Sequence, residues 1–181
     1  MSMATNDFES TVAGVTVHAE AHPLSVWFVF ALRVIMGITF AIAGVENIAT
    51  GFDARAYLLY SALLHGSPAA DLFTALGGND LFVQFVNVAV PWGELFIGLG
   101  LVFGVLTRLA AFWGAAMMFL FYLGNWNVEN GAVNLTYMVV LLTIAAFGAG
   151  RVLGLDPFIE RFRVGGVPLV ERYPVLEYVL G

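Results

Sequence analysis

The chain has 181 residues, of which 60% are hydrophobic and only 11% are charged, and its mean hydropathy is +0.88. A soluble domain of this length needs more charged surface, so the composition excludes an ordinary soluble fold and predicts a multi-pass membrane protein in contact with the lipid bilayer. The net charge of −6 and the absence of any basic cluster exclude nucleic acid as a partner.

The predicted elements begin with a polar segment, residues 1–24, which has no core pattern and is expected to be a flexible cytoplasmic tail. Four later segments hold the roughly 20 apolar residues that a helix needs to cross a bilayer: 25–47, 81–104, 106–123 and 131–150. The sequence therefore predicts an all-α, four-helix membrane bundle over residues 25–150. The first segment is too long for a signal-peptide core, so we expect it to stay in the mature protein.

Two segments outside the predicted spans differ in character. Residues 48–80 form a long connection, and "DARAYLLYSALLH" within it has apolar residues at helical spacing. This spacing predicts an outer helix lying along the membrane surface. Residues 151–181 alternate apolar and charged residues around glycines and prolines, which predicts a cytoplasmic tail of short interfacial pieces.

Arginine positions indicate the orientation of the bundle. Loop 48–80 holds only Arg55, whereas the side that carries both tails holds five arginines: Arg108, Arg151, Arg161, Arg163 and Arg172. Because basic residues accumulate on the cytoplasmic side, we place both termini in the cytoplasm and the bundle in the cell membrane. The chain has 13 acidic residues and no lysine, a balance that predicts a halophilic, archaeal organism.

Two charged residues lie inside predicted spans. Arg33 is about 12 Å and Glu94 about 15 Å from the cytoplasmic ends of their helices, at 1.5 Å per residue. Either charge alone costs about 2.5–3.5 kcal/mol at such depth. We therefore predict that Arg33 and Glu94 form an intramembrane pair, which acts either as a structural clasp or as a proton-linked or quinone-facing site.

The second span contains Pro91, which removes the helical partner of the Asn87 carbonyl and lets the helix bend. Trp92 beside it is either a core aromatic or a stacking surface for a quinone ring. Asn134, within the fourth span, is expected to hydrogen-bond another helix. Small residues that let helices approach closely are expected at Gly37, Gly44, Gly98, Gly100 and Gly104.

Metal and haem sites are not expected. The chain has no cysteine, and His18, His22 and His65 all lie outside the predicted spans, so a haem between the helices would have no histidine ligand. His18 and His22 have helical spacing, but Pro23 disfavours a helix there. We predict no metal and no covalently bound cofactor.

Three stretches resemble the DoxX family of four-helix membrane proteins: "LRVIMGITFAIAGVENIATGF", "GELFIGLGLVFGVLTRLAAFWGAAMM" and "GAGRVLGLD". The similarity covers residues 25–157 and is strongest to the DoxD type. The matching positions are Arg33, Gly44, Glu94, Gly98, Thr107, Arg108, Arg151, Gly154, Leu155 and Asp156. Family members often carry a lysine after the first-helix glycine, where this chain has Glu46 and Asn47.

The resemblance implies a non-catalytic or quinone-binding subunit of a respiratory complex, either a thiosulfate:quinone oxidoreductase or a terminal quinol oxidase. Its cofactor would be a menaquinone-type quinone, with Trp92, Asn87 and Asn134 beside it, and its partners would be larger oxidoreductase subunits. The alternative is a purely structural or assembly subunit with no ligand of its own.

Overall fold

Four long helices dominate the computed structural model, which describes residues 7–12, 14–20 and 24–181. The elements in chain order are β1 Asp7–Val12, β2 Val15–Glu20, α1 Ser25–Thr50, α2 Ala62–Leu64, α3 Ala70–Gly77, α4 Asp80–Phe103, α5 Thr107–Gly124, α6 Glu129–Ala146, α7 Asp156–Arg161, β3 Arg163–Val164, β4 Val167–Pro168, α8 Leu169–Arg172 and α9 Leu176–Val179. Helices α1, α4, α5 and α6 are long and apolar enough to cross a membrane. This confirms the predicted all-α membrane bundle.

The bundle has two ends, named here by what they carry. At the tail end, α1 and α5 begin, α4 and α6 end, and residues 147–181 follow. At the loop end lies the long connection 51–79 together with the short turn 125–128. These names describe the fold only and make no statement about the side of the membrane.

Local sequence explains where the central helices start and stop. The Asn79 side chain accepts hydrogen bonds from the backbone N–H groups of Leu81 and Phe82, both at 3.1 Å, and so caps the start of α4. Gly104 ends α4 in a left-handed conformation with φ +67°. Helix α6 ends at Ala146 rather than at the predicted residue 150, because the chain turns at Gly148 with φ +59°.

Helices α1 and α4 pack as a close antiparallel pair along a strip of small residues. A Cβ atom added to Gly37 would lie 2.7 Å from the backbone N of Val102, and one added to Gly44 would lie 2.5 Å from the backbone N of Leu95. Backbone contact this close leaves no room for a side chain, so glycine is required on this strip. α5 and α6 form a second tight pair, whereas α4 and α5 pack less closely.

The contacts of Gly37 and Gly44 also fix the level of α1 relative to α4. Since Gly37 is opposite Val102, the first three turns of α1 extend past the end of α4 at the tail end. Since Gly44 is opposite Leu95, α4 extends past the end of α1 at the loop end. The two helices are therefore offset along their length.

Buried apolar residues form two cores. The main core fills the bundle and includes Met36, Phe40, Ile97, Leu101, Met118, Leu141 and Ile144. A smaller core at the loop end joins the long connection to α4 through Ala54, Leu58, Ala62, Phe73 and Val83. The apolar residues in the helical part of that connection therefore pack inside the protein. The sequence analysis predicted instead that they lie on the membrane surface.

The terminal segments contain more regular structure than the sequence indicates. β1 and β2 pair as an antiparallel hairpin across a turn at Gly14, with Asp7 opposite Glu20. The sequence analysis predicted a flexible tail over residues 1–24, and this hairpin lies within that segment. His22, part of the disfavoured histidine pair, lies outside the described residues. At the other terminus, β3 and β4 form a second short hairpin between α7 and α8.

Candidate functional site

The predicted pair of Arg33 and Glu94 is wrong, because the two side chains have separate partners at different levels of the bundle. The Arg33 guanidinium lies against Gly104 at the tail end. Glu94 is ten residues earlier on α4, about 15 Å along the helix at 1.5 Å per residue. Depths counted from the ends of the helices were misleading here, because the ends of α1 and α4 do not lie at the same level of the bundle.

Arg33 is fully buried and donates hydrogen bonds to three backbone carbonyls. Nη1 reaches the carbonyl oxygens of Ala149 at 2.7 Å and Val152 at 3.0 Å, and Nη2 reaches that of Leu153 at 3.4 Å. Its Nε has no hydrogen-bond partner among the described residues. Arg33 thus ties α1 to the chain that leaves α6 by satisfying backbone carbonyls of that segment.

Asp156 completes this arrangement from the start of α7. Its Oδ1 accepts a hydrogen bond from the Leu106 N–H at 2.7 Å, and its Oδ2 accepts from Thr107 at 3.1 Å and Gly181 at 2.9 Å. The carboxylate therefore caps the first N–H groups of α5. It also acts electrostatically on Arg33. We call Arg33, Asp156 and residues 149–153 the tail-end clasp.

Glu94 has a very different environment. Its side chain is 5% exposed, faces α1, and accepts one hydrogen bond, from Asn47 Nδ2 to Oε2 at 2.6 Å. No charged side chain among the described residues acts on it. Asn47 thus gives this carboxyl a neutral amide partner rather than a cation.

Asn87 extends the polar character of this interface toward the loop end. It lies two helical turns before Glu94 on α4, and its Oδ1 accepts a hydrogen bond from the Ala54 N–H at 2.8 Å. Pro91, between them, has no N–H to give to the Asn87 carbonyl. We call this set of groups the polar stripe: Glu94, Asn47, Asn87 and the Asn87 carbonyl. The sequence analysis instead assigned Glu94 to a pair with Arg33 and Asn87 to a possible quinone site.

Trp92 and Asn134 do not join the polar stripe. Trp92 is 46% exposed on the outer surface of α4 and contacts the Phe96 ring at 5.8 Å between centroids, so it is neither a core residue nor adjacent to the Glu94 carboxyl. The Asn134 side chain makes no hydrogen bond within the described part of the chain. The predicted interhelical bond of Asn134 is therefore wrong.

An apolar groove lies between α4 and α5. It has a volume of about 600 Å³ and is lined by aromatic rings from both helices and from the long connection: Phe52, Phe82, Phe85, Phe96, Trp113 and Phe121. A second hollow of about 440 Å³ continues it toward the tail end and shares Phe96, Ile97 and Trp113 with it. Gly93 and Gly100 face this α4–α5 groove rather than α1.

The long connection closes the loop end of the α4–α5 groove by bonding to backbone carbonyls at the end of α5. The Ser61 hydroxyl donates to the Gly124 carbonyl at 3.0 Å, and His65 Nδ1 lies 3.2 Å from the same oxygen. Burial raises the pKa of Tyr57 to about 12. Its hydroxyl therefore keeps its proton at neutral pH and donates to the Phe121 carbonyl at 3.2 Å. A π-helical turn, Tyr57–Ser61, positions these groups.

The fold and these sites define a class: a four-helix integral membrane protein with buried polar groups and an apolar groove between two of its helices. Within the described residues, no group of three or more His, Asp or Glu side chains is placed to hold a metal. The family model described as DoxX matches residues 28–124, and the chain belongs to the DoxX family. No solved structure matches the chain.

Proposed function

We propose that this protein is a DoxD-type membrane subunit of a quinone-linked respiratory complex, a thiosulfate:quinone oxidoreductase or a terminal quinol oxidase. Its contribution is one wall of a quinone site, formed by the α4–α5 groove. The observation that carries this proposal is the groove itself, because its size and its aromatic, almost entirely apolar lining suit an isoprenoid quinone. Membership of the DoxX family supports it.

The groove residues fit the apolar part of a quinone better than its head group. Phe96 and Trp113 line the middle of the groove, and Gly93 lines it without a side chain. The only hydroxyl of the lining, that of Tyr57, already donates to Phe121. We infer that polar partners for the head group come from a neighbouring subunit. A bound menaquinone-type quinone would supply two-electron, two-proton redox chemistry.

Electron transfer to the quinone requires partner chains under this proposal. The sequence has no cysteine, and its three histidines lie outside the four long helices, so the thiolate and intramembrane histidine ligands of common redox centres are absent from the bundle. Larger subunits would bring the flavin, haem or metal. The arginine distribution supports a cytoplasmic location for both termini, and the acidic, lysine-free composition supports a haloarchaeal origin.

Fluorescence of Trp113 tests the groove directly. A variant that keeps only this tryptophan, with Trp27, Trp92 and Trp126 replaced by Phe, is placed in lipid nanodiscs and titrated with a decyl-chain menaquinone analogue. Binding in the groove predicts saturable quenching of Trp113. A variant that keeps only Trp27, which is exposed on α1, should show only a linear, collisional response.

A blocking substitution supplies the matched comparison for this test. Gly93→Phe fills the α4–α5 groove, whereas Val88→Phe places the same side chain on an exposed position of α4 outside it. Saturable quenching should disappear in the first variant and persist in the second. Identical linear responses in every variant would refute quinone binding by this chain and favour the structural or assembly role, in which the subunit has no ligand.

Purification from native membranes in a mild detergent tests the partner proposal. We expect co-purifying oxidoreductase subunits, and thiosulfate-dependent or oxygen-dependent quinone turnover only in that complex. The isolated polypeptide should have no visible absorption bands. Turnover of a quinone by this polypeptide alone would contradict the proposal.

A further inference from the structure

We propose that Glu94 is a proton-exchange site that opens toward the loop end of the bundle through Asn47 and Asn87. The proposal is independent of quinone binding in the α4–α5 groove, because Glu94 faces α1 rather than that groove. It rests on the partners of the carboxyl, on the free energies that oppose each other there, and on the asymmetry of its surroundings.

The partners of Glu94 leave half of the carboxyl unused. Asn47 bonds Oε2, while Oε1 has no hydrogen-bond partner within the described residues. Arg33 is held at the other end of the bundle by the tail-end clasp, and Glu46, the acidic neighbour of Asn47 on α1, is exposed. The ion pairs given for the described residues, Arg55 with Asp80 and Arg151 with Glu160, do not involve Glu94.

Two effects oppose each other at this carboxyl. Burial within a membrane helix disfavours the ionised form. A hydrogen bond from a neutral donor favours it, and Asn47 supplies one such bond. Because the carboxyl has this one neutral partner and no ion pair, both the protonated and the ionised form are accessible. A true ion pair with Arg33 would have held the carboxyl ionised.

The surroundings of Glu94 are polar in one direction only. Toward the loop end, the polar stripe continues through Asn47, which is half-buried one turn before α1 ends, and through Asn87, which reaches the backbone of Ala54. Toward the tail end, the buried apolar side chains of Phe40, Ile97 and Leu101 follow. Among the described residues, the polar groups next to Glu94 therefore lead a proton toward the loop end, while apolar side chains flank it toward the tail end.

Infrared difference spectroscopy in lipid tests the proposal without any quinone. Subtracting the spectrum of Glu94→Gln from that of the wild type should reveal a protonated-carboxyl band that shifts in D₂O and disappears as the pH rises. Glu46→Gln is the matched control, because the Glu46 side chain is exposed at the same end of α1, and its difference spectrum should not contain the band assigned to Glu94.

Two results would overturn the proposal. A Glu94 signal that is a carboxylate at every pH would show that the site does not hold a proton. A protonated band that neither shifts in D₂O nor responds to pH would show a sealed structural acid. If Glu94→Gln does not fold, Asn47→Leu replaces it: loss of the amide donor should shift the wild-type band and let it persist to higher pH.

The direction of exchange has its own test. Asn87→Leu should slow the D₂O-induced shift several-fold without removing the band, because it interrupts the polar stripe beyond Glu94. Asn134→Leu removes an asparagine of α6 that makes no hydrogen bond within the described residues, and it should leave the exchange rate unchanged. Equal rates in both variants and the wild type would contradict a route through Asn87.

Discussion

Two neighbouring helices each carry a buried charged residue: Arg33 on α1, in the tail-end clasp, and Glu94 on α4. The two residues differ in how many partners surround them. Arg33 donates to three carbonyls from a fully buried position and is accompanied by Asp156. Glu94 has one neutral partner and no counter-ion. A charge with many fixed partners has one stable state and holds the fold together, whereas a charge with few partners can change state.

The largest expected effect is on the tail-end clasp. Arg33→Leu removes the side-chain donor of the Ala149 and Val152 carbonyls and leaves the buried Asp156 without its cation, so we expect a loss of about 3–5 kcal/mol in the free energy of unfolding. Denaturant titration in detergent micelles measures it. Arg55→Leu is the control, because its ion pair with Asp80 is exposed and should contribute about 0.2–1 kcal/mol. Similar losses in both variants would contradict the clasp.

A smaller effect is expected where α1 and α4 touch. In Gly98→Ala the new Cβ meets the backbone of Ala41, and overpacking of this kind costs about 1–3 kcal/mol. Gly93→Ala on the same helix meets only the flexible Met117 side chain at 3.2 Å. It should therefore be neutral, or stabilising by up to about 1 kcal/mol through helix propensity. Thermal melts that rank the two variants in the reverse order would refute the assigned packing.

The smallest effect is expected at Glu94. Glu94→Gln keeps an oxygen that can accept the Asn47 hydrogen bond and removes no ion pair, so the free energy of unfolding should change by less than about 1 kcal/mol. The same denaturant titration applies. A loss of about 3 kcal/mol or more would indicate that a cation compensates this carboxylate after all.

Sequence patterns predicted what depends on hydrophobicity and on local chemistry. The four spans follow from apolar length, and the glycines near Pro91 indicated close helix contacts. The offset of α1 against α4 could not be predicted, because it is set by the contacts of Gly37 and Gly44 and not by where apolar segments end. For that reason the matched depths of Arg33 and Glu94 were misleading.

The partners of the two charges depend on contacts between residues far apart in the chain. Asp156 reaches α5 only because the chain folds back after α6, and Ala149 and Val152 act through backbone carbonyls that carry no sequence signal. Glu46 and Asn47 were visible in the sequence as a departure from the family pattern. That departure did not identify Asn47 as the partner of Glu94, because the contact joins two different helices.

A double-mutant cycle between Arg33 and Glu94 tests the separation of the two sites most directly. The free energies of unfolding of Arg33→Leu, Glu94→Gln and the double variant should be additive within about 0.5 kcal/mol, as for residues without shared partners. A parallel cycle of Arg33→Leu with Asp156→Asn should show clear coupling, since those residues belong to one clasp. A coupling energy of about 1 kcal/mol or more between Arg33 and Glu94 would contradict the account.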